Sequence, residues 1–325
     1  MPNLLLKREI EKYIEEAGFK YSKFYYPLSD YKNVNSIFTD ELIPKSNNSK
    51  IIYPVSYNED SIVVFNEINV IKQICDNRNF TDFTNSYLVE LSNEENENGI
   101  KFINYNIFRK DKYKLTLIMK KDIVEKYATT SEAKEHIKNI EKYIKHLEEL
   151  GFSIIDKVEN EKITSRIIRT EELDKKIVTE IKEDKIEEAY KEIEKWYSYI
   201  KERLEKQPMN GIDIFEKYQI EIPNEIKAKM KFVKNGYIDL SFENVFYEDE
   251  YLFYDQEWYF ENVPLEFILY RAINNLYTYN SSKVEPKLKQ EKIFEDFNLK
   301  DFCPYFEKLE KQIQCSSLPV KKKTS

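Results

Sequence analysis

Between residues 100 and 171 the hydrophobic period of this 325-residue chain changes from two to 3.6 and back to two, and that order excludes most folds. Three alternating runs come first, "IKFINYNIF", "YKLTLIMK" and "DIVEKYA", parted by the charged turns "RKDK" and "KKD". Alternation over such short spans predicts half-buried strands. A helix is predicted over about 130–150, where Thr130 or Ser131 can cap and Ala133, Ile137, Ile140, Ile144 and Leu147 form a stripe that Gly151 ends. Two further strands fit "FSIIDKV" and "KITSRIIRT", and one long helical stretch covers 172–206. Then comes "YIDLSFENVFYEDEYLFYDQEW" at 237–258, a hydrophobic hairpin with Asp239, Asn244, Asp255 and Glu257 around it. Strands disfavour Asp and Asn, so these residues mark either turns or a site.

Ahead of residue 100, residues 4–17 carry helical spacing closed by Gly18, and the aromatic run around Pro27 predicts strands joined by a turn. Strands are also expected at "IIYPVSY", at "SIVVFNE" and at the end of "FTDFTNSYLVEL", with a loop at "NNSK". The polar run "SNEENENG" at 92–99 is the best boundary in the chain. The expected organisation is therefore an N-terminal segment over 1–95, then 96–171, then 172–315, with a disordered tail at 316–325.

Composition narrows the function classes. A formal charge of −8 argues against a dedicated nucleic-acid binder, because phosphate affinity comes from clustered Lys and Arg. Cys75, Cys303 and Cys315 show no CxxC spacing, and with two histidines a zinc site is not expected. The start "MPNLLLKREIEKY" becomes charged after three leucines, so neither a signal peptide nor a membrane span is expected, and a cytoplasmic protein is. All five glycines are isolated, which leaves no GxGxG loop for a nucleotide cofactor.

The part over about 100–280 resembles the protein-kinase-like fold in its small-molecule branch, the aminoglycoside and choline phosphotransferases. Those enzymes carry an Asp, an Asn five residues later, a short hairpin and a second Asp, matched here by Asp239, Asn244 and "YLFYDQEW" with Asp255 and Glu257. The resemblance implies an α+β, two-lobed fold: a five-stranded N-lobe sheet plus helix, a mostly helical C-lobe, and a small N-terminal α/β segment. It implies ATP and magnesium as cofactors. By the same resemblance Asp239 is the catalytic residue, Asn244 and Asp255 are the metal ligands, and Lys126 in "IVEK" anchors the nucleotide. Glu132 is the assigned ion-pair partner of Lys126, with Glu135 and Glu141 as alternatives on the same helix. The chain departs from the pattern in four places. Tyr237 stands for the usual His, "RKDK" lacks glycine, "DQE" replaces "DFG", and Ser241 stands where protein kinases have Lys.

"DQEWYFENVPLEFILYRAINNLY" is similar to the end of kinase-like domains in bacterial surface-polysaccharide proteins, some fused behind a methyltransferase. The N-terminal residues up to "LSDYK" resemble the closing helix and strands of such a methyltransferase, whose catalytic core is missing here. This implies a small-molecule or glycan substrate and a methyltransferase or glycosyltransferase as partner.

The chemistry accounts for the spacing. Phosphoryl transfer needs alignment and charge neutralisation more than covalent help, and magnesium prefers hard oxygen donors. The bland alternative is that Asp239 ends a strand, Asn244 sits in an Asx turn, "EDE" is a solvated tip and Lys126 is a surface lysine. His136, beside the apolar stripe, reads as a packed helix residue. Trp196, Trp258, Tyr259 and Arg271 are candidates for an acceptor pocket or for the core. Three functions follow: a phosphotransferase on a small hydroxyl substrate, a catalytically silent kinase-like binding module, or a scaffold left from a methyltransferase.

Overall fold

The aromatic stretch after Gly18 becomes the centre of a sheet. The computed structural model describes residues 5–28, 31–32, 34–44, 67–95 and 98–317, and the chain divides into two units, residues 1–134 and 135–325. In the first, α1 (Lys7–Glu16) stops where its spacing predicts. Gly18 adopts φ +79° and its N–H meets the Glu15 carbonyl at 3.0 Å, a left-handed cap that glycine enters without a Cβ clash. Next come β1 (Tyr21–Leu28), β2 (Ser36–Thr39), α2 (Glu67–Asp76), the one-turn α3 (Phe80–Phe83) and β3 (Leu88–Ser92). Then β4 (Phe102–Asn104), β5 (Leu115–Met119) and β6 (Ile123–Ala128) extend the sheet. Within this unit the strand order is β3–β1–β2–β4–β5–β6, every neighbour antiparallel.

Phe38 of β2 pairs with Phe102 of β4, so the sheet joins residues on both sides of the polar run at 92–99, and the two units divide at 134/135. Phe24, Tyr26, Phe38, Phe80 and Phe102 are its core. The Phe38 ring lies 4.9 Å from Phe102 and 5.6 Å edge-on from Phe80, so large aromatic area is buried under a short sheet. The strands predicted at 51–57 and 61–67 fall outside the described residues but for Glu67, which opens α2, and so does the tail from 318 on; residues 316–317 close the last helix.

The second unit begins with α4 (Lys134–Glu149), whose Ile137, Ile140, Ile144 and Leu147 are all buried as the stripe requires. Each such burial contributes roughly 1.5–3 kcal/mol. It continues through β7 (Ser153–Ile154) and the β8 (Asp156–Glu159) and β9 (Lys162–Arg166) hairpin. The single helical stretch expected over 172–206 is two helices, α5 (Leu173–Lys182) and α6 (Ile186–Leu204). Asp184 at φ +60° makes the break, and the Lys185 N–H closes back on the Glu180 carbonyl at 2.9 Å. Asp is one of the few residues that tolerates this conformation. Two short helices, α7 (Ile214–Lys217) and α8 (Asn224–Lys227), lead into β10 (Phe232–Tyr237), β11 (Val245–Tyr247), β12 (Tyr251–Phe253) and β13 (Tyr259–Pro264). Helices α9 (Leu265–Val284), α10 (Gln290–Asp296) and α11 (Cys303–Ser317) close the unit.

Its core is one cluster containing Trp196, Ile200, Phe242, Phe253, Phe267 and Phe306, all at most 1% exposed. The chain is thus α+β with mainly antiparallel pairing, and β12 runs parallel beside β7. Among the described residues no helix is long and apolar enough to cross a membrane.

Candidate functional site

The quoted hairpin is a closed excursion from a second strand pair. β10 and β13 pair antiparallel with Tyr237 opposite Tyr259, and β11–β12 forms the hairpin inside that closure. Gly236 permits the close approach of β10 to β13: a Cβ there would lie 2.4 Å from Cγ2 of Val263. The "EDE" residues 248–250 are the exposed tip, as the bland reading has it.

Asn244 and Asp255 flank the other end. The Asn244 carbonyl accepts the Tyr254 N–H at 3.1 Å, which sets Asn244 directly across from the residue before Asp255. The Asn244 Nδ2 donates to the Asp239 carbonyl at 3.1 Å, so the amide is fixed and its Oδ1 remains as its acceptor. Gln256 Nε2 donates to the same carbonyl at 2.9 Å. Asp255 has φ +58°, and its own N–H is held by Asp156 Oδ2 at 2.7 Å. Asp156 is 3% exposed and takes a second hydrogen bond from the Ser165 hydroxyl. A non-glycine residue kept in a sparse backbone region persists only where its surroundings over-determine it, and such residues concentrate at functional sites.

Asp239, the catalytic residue by the resemblance, is 7% exposed. Its Oδ2 accepts the N–H groups of Glu257 at 2.9 Å and Trp258 at 2.8 Å, and Oδ1 accepts Arg271 Nη1 at 3.2 Å. Arg271 also meets Glu310 at 3.1 Å. Burial pushes the Asp239 carboxyl up to about 7; Arg271 opposes the rise, while Asp255 and Glu257 add to it. A carboxyl titrating near 7 suits a general base, but geometry is decided first, and here both oxygens are spent inside the protein. In this arrangement Asp239 fastens the "DQEW" turn to the floor of the loop.

Two histidines complete the surroundings. His136 Nε2 lies 3.5 Å from Glu257 Oε2, with its ring 5.5 Å from that of Trp258, and both Glu257 and His136 are buried. Tyr237, which replaces the expected His, bonds Nδ1 of His146 from α4, and burial drives its phenol far above the ordinary tyrosine range. Trp196 is core, and Arg271 is committed to Asp239 and Glu310, so neither lines an open acceptor pocket.

Lys126 and Glu132 belong to the first unit. Lys126 sits on β6 opposite Leu117, on the other face from Glu125, which is 4% exposed and bonds Lys120 Nζ at 2.6 Å. Glu132 lies in the turn before α4, exposed, its carboxylate accepting from Ser131. A hydrogen bond from its own backbone N–H, with that from Ser131, holds its carboxyl below the usual range. Sequence reasoning missed Asp156, Ser165, Gln256 and Glu310. Their roles come from partners far along the chain, except for Gln256, whose place inside "DQE" was the one signal available.

No family model matches the chain, and no curated protein matches it. Among solved structures, one match is the crystal structure of aminoglycoside phosphotransferase APH(2'')-Ib, ADP-bound. It is 12% identical, covers 56% of this chain and 78% of that one, and has a TM-score of 0.29. A likeness that low carries no argument about fold or chemistry.

Proposed function

We propose that this chain is an ATP- and magnesium-dependent phosphotransferase acting on a small hydroxyl substrate, a sugar of a surface glycan being the candidate acceptor. The observation that carries this reading is the paired placement of Asn244 and Asp255, one fixed by the Asp239 carbonyl and the other by Asp156. Among the described residues no three His, Cys, Asp or Glu side chains are grouped to hold a metal ion. Magnesium does not require such a group, because it takes one or two protein oxygens and completes its shell with water and phosphate. Asn244 Oδ1 and the Asp255 carboxylate suit that role.

When bound, the ion would neutralise charge on the transferring phosphoryl group. The chain's own work is positional. Asp156 fixes the backbone of Asp255, Asn244 spans the loop, and Asp239 fastens the turn that carries Gln256 and Glu257. Asp239 acts in this scheme as a positioning residue, because a loose phosphoryl transition state asks little of a base.

The test is a titration of ATP with and without magnesium, read by thermal shift, beside an assay of ADP formation with a panel of sugars. Magnesium-dependent stabilisation with sugar-dependent ADP formation supports the phosphotransferase. Nucleotide binding without ADP formation with any sugar favours the silent module. No stabilisation by ATP at concentrations far above a micromolar constant, where a ligand adds several kcal/mol, leaves only the scaffold.

A further inference from the structure

One cavity in the first unit is lined by none of Lys126, Glu132, Asp239, Asn244 or Asp255. It is a cavity of about 400 Å³ where β1 begins and β2 and β3 end, lined by Tyr21, Lys23, Glu41, Glu90, Ser92 and Lys101 among others. That is the size range of small-molecule sites.

Two of its lysines are poised. Lys23 and Lys101 are mostly covered, with side chains 21% and 28% exposed, and both lean on the single carboxylate of Glu41, each at 3.5 Å. A charge-assisted hydrogen bond is shorter, about 2.7–2.9 Å. Glu41 is itself 49% exposed, so these are loose pairs of small worth. The neighbouring Asp40 is not available to them, being engaged by Lys7 at 2.7 Å and by the Tyr26 hydroxyl at 2.6 Å.

The opposite wall is built firmly. Lys23 Nζ is oriented by Asn98 Oδ1 at 3.1 Å. The same Asn98 donates to the Tyr25 hydroxyl at 2.6 Å and to Glu90 Oε2 at 3.0 Å, and the Tyr25 hydroxyl donates to Glu90 at 2.8 Å. One interlinked set of hydrogen bonds therefore places an ammonium and a carboxylate on the same wall, as a pre-organised site requires.

The charges define the occupant. Lys23, Lys101 and Lys121 face Asp40, Glu41, Glu90 and Glu95, so a polyphosphate would be repelled. A single anionic group could replace the Glu41 carboxylate between Lys23 and Lys101. Its hydroxyls could then donate to Glu90, beside Ser92 and the ring of Tyr21, which is 43% exposed. We infer that this cavity binds a small hydroxylated molecule with a single anionic group, a sugar acid or sugar phosphate, with Glu41 standing in its place when the site is empty. This inference does not depend on the proposed phosphotransferase site.

The experiment is calorimetric titration of the full chain at low ionic strength with glucuronate, glucose 6-phosphate, glucose, acetate and ATP. Glucuronate or glucose 6-phosphate is expected to bind saturably, and which binds tighter separates sugar acid from sugar phosphate. Glucose and acetate should each bind at least about tenfold more weakly, for want of one of the two features. Lys23→Met and Lys101→Met should each weaken binding by about tenfold, the worth of one charge-assisted contact. Glu41→Gln, which keeps the shape, should tighten it by a similar factor. Circular dichroism of the three variants should match the wild type. The inference is overturned if neither sugar anion binds wild type or Glu41→Gln at concentrations up to about 10 mM, a range that would detect even millimolar constants. It is overturned equally if the lysine variants bind like wild type, if Glu41→Gln weakens binding, or if acetate or ATP binds as well as the sugar anions.

Discussion

Removing the Asp239 carboxylate should cost the second unit a large part of its stability. Asp239→Ala orphans two buried backbone N–H groups, those of Glu257 and Trp258, and leaves Arg271, whose side chain is 15% exposed, with Glu310 alone. Breaking a buried pair from one side costs about 3–5 kcal/mol. Unsatisfied buried donors cost roughly 1–3 kcal/mol, partly counted already because they share one carboxylate with Arg271. A loss near 4 kcal/mol is expected, against a total of about 5–15 for a domain. Urea unfolding followed by tryptophan fluorescence reads this unit alone, because Trp196 and Trp258 are the chain's two tryptophans. The pH dependence adds a sign. The folded carboxyl, raised to about 7 from the ordinary aspartate value near 3.8, contributes stability that is fully present below about pH 4 and is lost as pH rises through 7. Asp239→Asn cannot ionise, so its penalty against wild type should be largest at about pH 4 and below and shrink toward pH 8. A loss under about 1 kcal/mol for Asp239→Ala would refute the latch, since that is the size of an ordinary surface effect. An Asn penalty that grows with pH would refute the burial argument.

Four other outcomes are expected. Asp255→Asn, which tolerates the φ of +58° while losing the charge, should fold normally and lose the magnesium-dependent part of nucleotide stabilisation, by about tenfold or more in affinity. Asp156→Ala should weaken the same magnesium response without touching nucleotide binding in its absence, and equal loss of both would show that Asp156 is merely structural. Gly236→Ala should lower the urea midpoint by about 1–3 kcal/mol equivalent, because Val263 must yield to a Cβ 2.4 Å away. S-adenosylmethionine should give no saturable heat in calorimetry, since no glycine loop exists to seat it.

What could be read from the sequence was local. The stripe of α4, the alternation of β4 to β6 and the left-handed Gly18 each follow from a few neighbouring residues, and each is present. The pairing of Phe38 with Phe102 could not be read, because register across a sheet leaves no mark in either strand alone. Asp184 hid inside a helical pattern, since Asp is tolerated both in a helix and at its left-handed end. The spacing of Asp239, Asn244 and Asp255 located the loop, and the amide of Asn244 does reach back to residue 239. Where the Asp239 side chain points was decided by Arg271, 32 residues later, and no spacing rule encodes that partner.

The parallel contact of β7 with β12 has a consequence for synthesis. Ser153 meets Leu252, and Asp156 waits for the Asp255 amide 99 residues downstream. At about 5–20 residues per second, β7 and the Asp156 carboxylate emerge roughly 5–20 seconds before their partners do. During that interval the edge of β7 lacks the strand that will cover it, and the loop carrying Asn244 does not yet exist. Closing so long a segment is slow as well as late. The pair Asn244 and Asp255 is therefore among the last things this unit makes, and a nascent chain halted before about residue 264 should present its first unit folded and its second unable to grip any ligand.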